Sequence, residues 1–396
     1  MTRSVIERLI ETNPDMEIWW DSSPLIFEPW VQKMVKRADP ARKATLEEEL
    51  NRIFVLSDPA QSLIRGCTTN PPLSLEVVKT FPDVWSRWVD EAIEANPTLD
   101  YKQIAWLTYK EIVKRGAQAL RPIYEASKGR YGFVSGQLDP RLFKEVEVMV
   151  GAADELRALS PNVMIKVPGS TQGIEVLKIL ASKGIPTNTT TCFSLPQIMA
   201  SANATNEGMK IAEKNGVDLS KWRAVITMMI GRLTEHPVLD QQAERRGIKL
   251  TWQDKHWWGI GVFRKAYELL TERGLPSKLL ACSMRQGPLV AGKMRFWDVE
   301  AFAGGDIVYT CPPYVFEPLF EQCNDIRFRP QMHEPIPQEV WDKILRIPYG
   351  LQNSFEYGLD IDQFNDHHAT IATVAAFSKA LDGIEGFVKE RLTYRK

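Results

Sequence analysis

A single unit recurs along this chain: a short β-rich segment, a turn, then an amphipathic helix. The β-rich segments read EIWWDSS (17–23), IRGCTTN (64–70), YGFVSGQ (131–137), NVMIKVP (162–168), PTNTTTC (186–192), AVITMMIGR (224–232), KLLACS (278–283) and DIVYTCP (306–312). Most are apolar through the middle, as expected of parallel strands buried on both faces. Helical signals lie between them. TQGIEVLKILASKG places Ile174, Leu177 and Leu180 on one face and ends at Gly184. WWGIGVFRKAYELLTERG has the same form and ends at Gly274. Thr45 followed by Glu48 has the spacing of a capping box. Eight strands alternating with helices predict an α/β fold of the (β/α)8 TIM-barrel type. A doubly wound open sheet is the runner-up, but the GxGxxG turn that would favour it is missing.

A minimal barrel needs about 250 residues, and this chain has 396. The surplus falls before the second strand, between the second and third, and after the eighth. The expectation is one barrel domain over 1–396 with extra helices. Residues 313–396 would form a C-terminal extension packed on the barrel or on a partner subunit. That extension reads as proline-marked loop, with Pro312, Pro313, Pro330, Pro335 and Pro337, followed by the helix ATIATVAAFSKALDGIEGFVKERL. The run Glu47-Glu48-Glu49 reads as a solvated helix face.

Lys and Arg number 49 against 50 Asp and Glu, a formal net charge of −1. This lacks the basic excess of a nucleic-acid binder, and nothing advertises a membrane partner. No window has the apolar length of a spanning helix. Glu7 and Glu11 interrupt the amphipathic start, so no export signal is expected and the cytoplasm is the expected location. The five cysteines are widely spaced without a CxxC pair, which fits neither a disulfide framework nor a zinc site. Cys67, Cys192, Cys282 and Cys311 fall within strands and read as packed thiols. The five histidines form no HExxH-like pattern, so no metal ligand set is expected.

In such a barrel the chemistry gathers at the C-terminal ends of the strands. The polar residues there are Asp21, Ser22 and Ser23; Thr68, Thr69 and Asn70; Gln137; Lys166; Asn188 and Thr190; Thr227 and Arg232; and Ser283 and Arg285. Lys166, in MIKVPGS, is the centre of this set. A strand-end lysine alone would snorkel to solvent. A lysine inside a barrel, desolvated and near an arginine, instead becomes a free amine able to attack a carbonyl. Asp21 alone would read as a helix cap; at the mouth of a barrel with Lys166 it becomes a candidate general base. Arg232 and Arg285 with Ser283 suit a phosphate.

Four motifs carry a family resemblance: RGCTTNPPLS, IKVPGSTQGIEVLKILASKGIPTNTTTCFSLPQ, IGRL at 230–233 and CSMR at 282–285. In this order the chain resembles the transaldolase family of class I Schiff-base aldolases, from Glu17 to Cys311. The lysine-to-FSLPQ block is the most specific piece. The resemblance implies that Lys166 is the Schiff-base lysine and Asp21 the acid/base at the donor's C4 hydroxyl. It implies that Thr68, Asn70 and Asn188 lie at the donor's hydroxyls and the enamine, and that Thr190 anchors the catalytic water with Gln137. Arg232, Ser283 and Arg285 would bind phosphate. Thr227 would stand where the family usually has serine.

The implied reaction moves a dihydroxyacetone unit from a ketose phosphate to an aldose phosphate, as in the pentose phosphate pathway, without metal or organic cofactor. Two departures matter. The family usually has glutamate at Gln137, and a glutamine cannot take a proton. The fructose-6-phosphate aldolases carry glutamine there, paired with a tyrosine where transaldolases have phenylalanine; this position is Met229. A fructose-6-phosphate aldolase-like lyase is therefore one alternative. The unusual WWDSSPLIFEPW entry and the extra segments raise a second, a transaldolase-like enzyme of a specialised sugar pathway. The family often forms dimers, so a homodimer through the C-terminal helix is an option the resemblance raises.

Overall fold

A computed structural model describes residues 3–394 of the chain. All eight expected strands are present: β1 (Glu17–Trp20), β2 (Ile64–Cys67), β3 (Phe133–Gln137), β4 (Val163–Pro168), β5 (Thr187–Cys192), β6 (Ala224–Met229), β7 (Ser277–Cys282) and β8 (Val308–Cys311). They close into a parallel barrel in the order β1-β8-β7-β6-β5-β4-β3-β2. Nearly every strand residue is buried, which explains the continuous apolar runs. The expected (β/α)8 barrel is the observed fold, in place of the doubly wound sheet, and a small antiparallel pair, Leu289–Val290 with Lys293–Met294, stands outside it.

The chain packs as two compact units. One comprises the residues up to Trp19, Phe143–Val146 and Val167–Ala372; the other comprises Trp20–Leu142, Glu147–Lys166 and the residues from Thr373 on. In the second unit β2, β3 and β4 pair in register, with Gln137 opposite Lys166. In the first unit β5, β6, β7 and β8 pair, and the β5–β6 register shifts between Thr189 and Cys192.

The helix expected after Lys166 runs Thr171–Ser182, capped by Ser170, whose Oγ accepts the Gly173 N–H at 3.0 Å. Gly184 follows with φ +69°, the left-handed stop its position predicted. The helix ending near Gly274 spans Trp252–Glu272 and opens on a Thr251–Asp254 capping box.

Three expectations are corrected. The helix that was to start on a Thr45–Glu48 capping box instead spans Lys43–Ile53 with no side-chain cap. Glu49 is no solvated residue: it is buried and paired with Arg42 at 3.1 Å, because its place on the turn points it inward. The proline-marked stretch after β8 is largely helical, with helices Pro313–Glu321, Gln338–Ile344 and Pro348–Ser354 before the long helix His368–Tyr394. Pro313 and Pro348 occupy first helical turns and Pro337 an N-cap, where a missing N–H costs nothing. Among the described residues, no helix is long and apolar enough to cross a membrane.

Candidate active site

In a closed parallel barrel the C-terminal strand ends share one rim. The predicted residues form two clusters, one in each unit.

The second unit holds the lysine cluster. Lys166 is 4% exposed, so it does not snorkel, and its Nζ donates to the Thr69 carbonyl at 3.1 Å. Asp21 is 7% exposed and accepts the Thr68 hydroxyl proton on Oδ1 at 2.6 Å. Asp21 caps no helix; Ser23 caps the short turn that follows, accepting from Leu25 N–H. Cys67 lies within electrostatic reach of both groups. Burial pushes its thiol well up, the Asp21 charge adds to this, and Lys166 pulls the other way. The thiol stays protonated and donates to the Ser22 carbonyl at 2.7 Å, as expected for a packed cysteine.

Gln137 is buried beside Lys166 in the sheet register, and its Oε1 has no hydrogen-bond partner among the described residues. Its backbone is held from both sides by Tyr109: the Gln137 N–H donates to the Tyr109 hydroxyl at 2.7 Å, and that hydroxyl donates to the Gln137 carbonyl at 3.1 Å. Burial pushes the Tyr109 hydroxyl pKa up, which keeps this donor protonated. Asn70 is in part what its position next to Pro71 allows, an N-cap: its Oδ1 accepts the Leu73 N–H at 2.9 Å. The cap fixes the amide at the start of helix Pro71–Thr80.

The first unit holds an amide–hydroxyl pair and the arginines. Thr227 donates to Asn188 Oδ1 at 2.7 Å, and both are buried. Thr190 is buried at the register shift of β5, with its Oγ1 unpartnered among the described residues. The next residue, Thr191, has φ +46°, a strained conformation for a β-branched residue. Gln197 stabilises this bend. Its Nε2 donates to the Gly169 carbonyl at 2.9 Å and the Thr191 carbonyl at 3.2 Å, and its Oε1 accepts from Phe193 N–H at 3.1 Å. FSLPQ is thus a clip between the β4 and β5 loops, closed by the Ser194–Gln197 capping box.

Arg232, Ser283 and Arg285 come together. Ser283 has φ +59°, and its carbonyl accepts from Gly231 N–H at 3.1 Å and from the Arg285 guanidinium at 2.9 Å. The backbone of Gly231 lies directly on this pair: a Cβ there would stand 2.4 Å from the Ser283 carbonyl oxygen and 2.7 Å from Arg285 Cζ. Burial lowers the Arg232 pKa, and repulsion from Arg285 adds to this. A guanidinium within electrostatic reach of a second one favours an anion. Burial opposes the charge of Arg285 too, but the hydrogen bond and charge of Glu235 outweigh it and hold its pKa up.

Sequence reasoning missed Tyr109, Gln197, Glu235 and Asp298. The Ser-x-x-Gln spacing announced Gln197 as a capping residue. The other three lie in helices or at their ends, where nothing in composition separates them from ordinary surface or core residues.

The sequence profile of the family described as Transaldolase/Fructose-6-phosphate aldolase matches residues 50–388. Curated relatives include Transaldolase 1 of Streptomyces avermitilis, 29% identical over 232 residues, which are 57% of this chain and 60% of the relative. Transaldolase 1 of Streptomyces coelicolor is 31% identical over 202 residues, 47% of this chain and 50% of that protein. The transaldolase of Thermobifida fusca is 28% identical over 197 residues, 49% and 51% of the two chains. The chain thus spans between half and three-fifths of the length of the curated relatives it matches. With the profile match covering most of the sequence, the barrel and its motifs are accounted for together: the chain belongs to the transaldolase/fructose-6-phosphate aldolase family.

Proposed function

We propose that the protein transfers a dihydroxyacetone unit from a ketose phosphate to an aldose phosphate through a Schiff base on Lys166. The observation that carries this reading is the burial of Lys166 at the end of β4, in a chain of this family. The Lys166 amine attacks the ketose C2 carbonyl, and loss of water leaves an iminium that accepts the electrons of the C3–C4 bond. Asp21 takes the C4 hydroxyl proton as that bond breaks, and the aldose phosphate leaves. The bound enamine then attacks the aldehyde carbon of a second aldose phosphate. Protonation of the new alkoxide and hydrolysis of the iminium release the product and restore the amine.

The other residues bind and orient. Asn70, its oxygen committed to the helix cap, offers its Nδ2 to a donor hydroxyl. Thr227 fixes the flip of Asn188 so that its amide also donates to the substrate. Thr68 orients Asp21. Gln137 Oε1 in one unit and Thr190 Oγ1 in the other are buried polar atoms each suited to hold a water of the Schiff-base cycle. Arg232, Ser283 and Arg285 take the phosphate. The lysine supplies the electron sink in this scheme. The donor by family analogy is fructose 6-phosphate or sedoheptulose 7-phosphate. We place the enzyme in the cytoplasm, with a homodimer as the assembly to test.

One observation favours a second reading. Gln137 cannot shuttle a proton as a glutamate would, so protonation of the enamine before acceptor capture would make the enzyme an aldolase. Product analysis separates the two. With fructose 6-phosphate and erythrose 4-phosphate, a transferase forms sedoheptulose 7-phosphate and releases no dihydroxyacetone; a lyase releases dihydroxyacetone with or without the acceptor.

A further inference from the structure

Arg285 is already engaged before any anion arrives. Its Nε donates to Glu235 Oε2 at 2.8 Å, and an NH2 proton reaches the same oxygen at 2.8 Å. NH1 donates to the Ser283 carbonyl at 2.9 Å and the Ser283 hydroxyl at 3.2 Å. These bonds differ in how easily they yield. Ser283 is buried within the β7 loop. The main chain of Arg285 is also fixed, because its N–H donates to Asp298 Oδ2 at 2.7 Å. Asp298 is itself fully buried, with its other oxygen 3.3 Å from His256 Nε2, and His256 lies stacked on Trp252 at 3.7 Å between ring centroids. Glu235 is the exception: its side chain is 45% exposed, on the residue that ends the short helix Ile230–Thr234.

We propose that Glu235 is an internal counter-anion on Arg285 that sets phosphate affinity: a substrate phosphate displaces it and a neutral or weakly anionic group does not. The proposal rests on the reading of Arg232, Ser283 and Arg285 as the phosphate site. A phosphate dianion bridges two guanidiniums and presents three acceptor oxygens, so it repays the loss of the Glu235 pair. A sugar hydroxyl brings no charge, and a carboxylate only exchanges one monoanion for another. When Glu235 swings to solvent, Arg285 stays in place, because Asp298 and Ser283 continue to hold it. Glu235 thus lowers phosphate affinity and keeps the Arg285 charge compensated until a dianion arrives.

The test uses Glu235→Gln, which keeps an acceptor for Arg285 and removes only the charge. Inorganic phosphate is titrated calorimetrically into the wild type, Glu235→Gln, Glu235→Ser and Arg285→Ala at fixed ionic strength. Both Glu235 variants are expected to bind phosphate roughly three- to tenfold more tightly than the wild type, with binding lost in Arg285→Ala. The kcat/KM ratio of fructose 6-phosphate to fructose is expected to rise in Glu235→Gln, because fructose does not displace Glu235 and gains nothing from its loss. Unchanged or weaker phosphate binding in both Glu235 variants, with Arg285-dependent binding in the wild type, overturns the proposal and leaves the phosphate site standing. No phosphate binding by the wild type or either Glu235 variant overturns both.

Discussion

Thr68 and Asp21, 47 residues apart in sequence, are joined by a hydroxyl-to-carboxylate hydrogen bond of 2.6 Å. The carboxylate is therefore aimed by a side chain at the end of β2, while Ser23 does the capping nearby. Replacing Asp21 by Asn should cut kcat by about 10²–10⁴, the ordinary contribution of a general base. Thr68→Val keeps the carboxylate but frees its orientation, and a loss of about tenfold in kcat is expected, with KM little changed. Steady-state kinetics on both variants checks this. A Thr68→Val enzyme as fast as wild type would detach Thr68 from the chemistry.

Gly231 is required for want of space, since its φ is not in the left-handed region. Its Cβ position is filled by the Ser283 carbonyl and the Arg285 guanidinium. Gly231→Ala should displace the β7 loop, lower stability by about 1–3 kcal/mol and raise KM for phosphorylated substrates about tenfold or more. Lys166 chemistry on unphosphorylated dihydroxyacetone should persist. Equal KM values in variant and wild type would show that the loop shifts without cost.

Glu17 is buried at the start of β1 with Arg223, Lys278 at 2.9 Å and the Trp19 indole at 2.9 Å. Burial alone would raise its carboxyl pKa, but Arg223 and Lys278 outweigh it and hold it below the ordinary value. A lowered folded-state pKa gives stability that is present above the unfolded value, about 4.3, and is lost as pH falls through the folded one. Glu17→Gln removes the buried carboxylate that Arg223 and Lys278 share, although Lys278 keeps Asp306 at 2.5 Å, and should cost about 3–5 kcal/mol at pH 7, read as a lower urea midpoint. A change under about 0.5 kcal/mol, within the range of ordinary surface substitutions, would contradict this.

His367 is held neutral. Burial lowers its pKa to about 3, with help from the nearby His368 and His236. Its Nε2 meets Asn353 Oδ1 at 2.9 Å, and its ring stacks between Phe193 and Tyr349. Because the folded pKa lies below the unfolded value near 6.5, the native state binds fewer protons between them. Stability is therefore full above pH 6.5 and falls as the pH drops toward 3, on the order of 5 kcal/mol in all. Urea unfolding between pH 7 and 5 should show a steeper loss in wild type than in His367→Gln. Parallel curves would remove His367 from the acid response.

The parts of the fold that were legible in the sequence are those where one physical rule dominates. Parallel strands buried on both faces are mostly apolar, so most of β1 to β8 could be read directly, with strand ends marked by Asp21, Asn70, Gln137 and Lys166; the threonine-rich β5 is the exception. The same polar ends exposed most of the candidate site. What escaped was set by tertiary partners. Glu49 looked solvated because its neighbours are, yet Arg42 turns it inward. Pro313, Pro337 and Pro348 read as loop residues, although a proline at a helix start looks the same in sequence as one in a turn. Tyr109, Glu235 and Asp298 act on residues 28, 50 and 13 positions away, and no local pattern encodes such a bond. Asn70 showed that a cap and a binding residue are not exclusive readings.

The most direct measurement is borohydride trapping. The protein is incubated with fructose 6-phosphate and sodium borohydride, weighed intact, and the adduct is mapped by peptide sequencing. A Schiff base on Lys166 predicts a reduced three-carbon adduct on that residue, absent in Lys166→Ala. An adduct on another lysine, or none with either fructose 6-phosphate or sedoheptulose 7-phosphate, would contradict it.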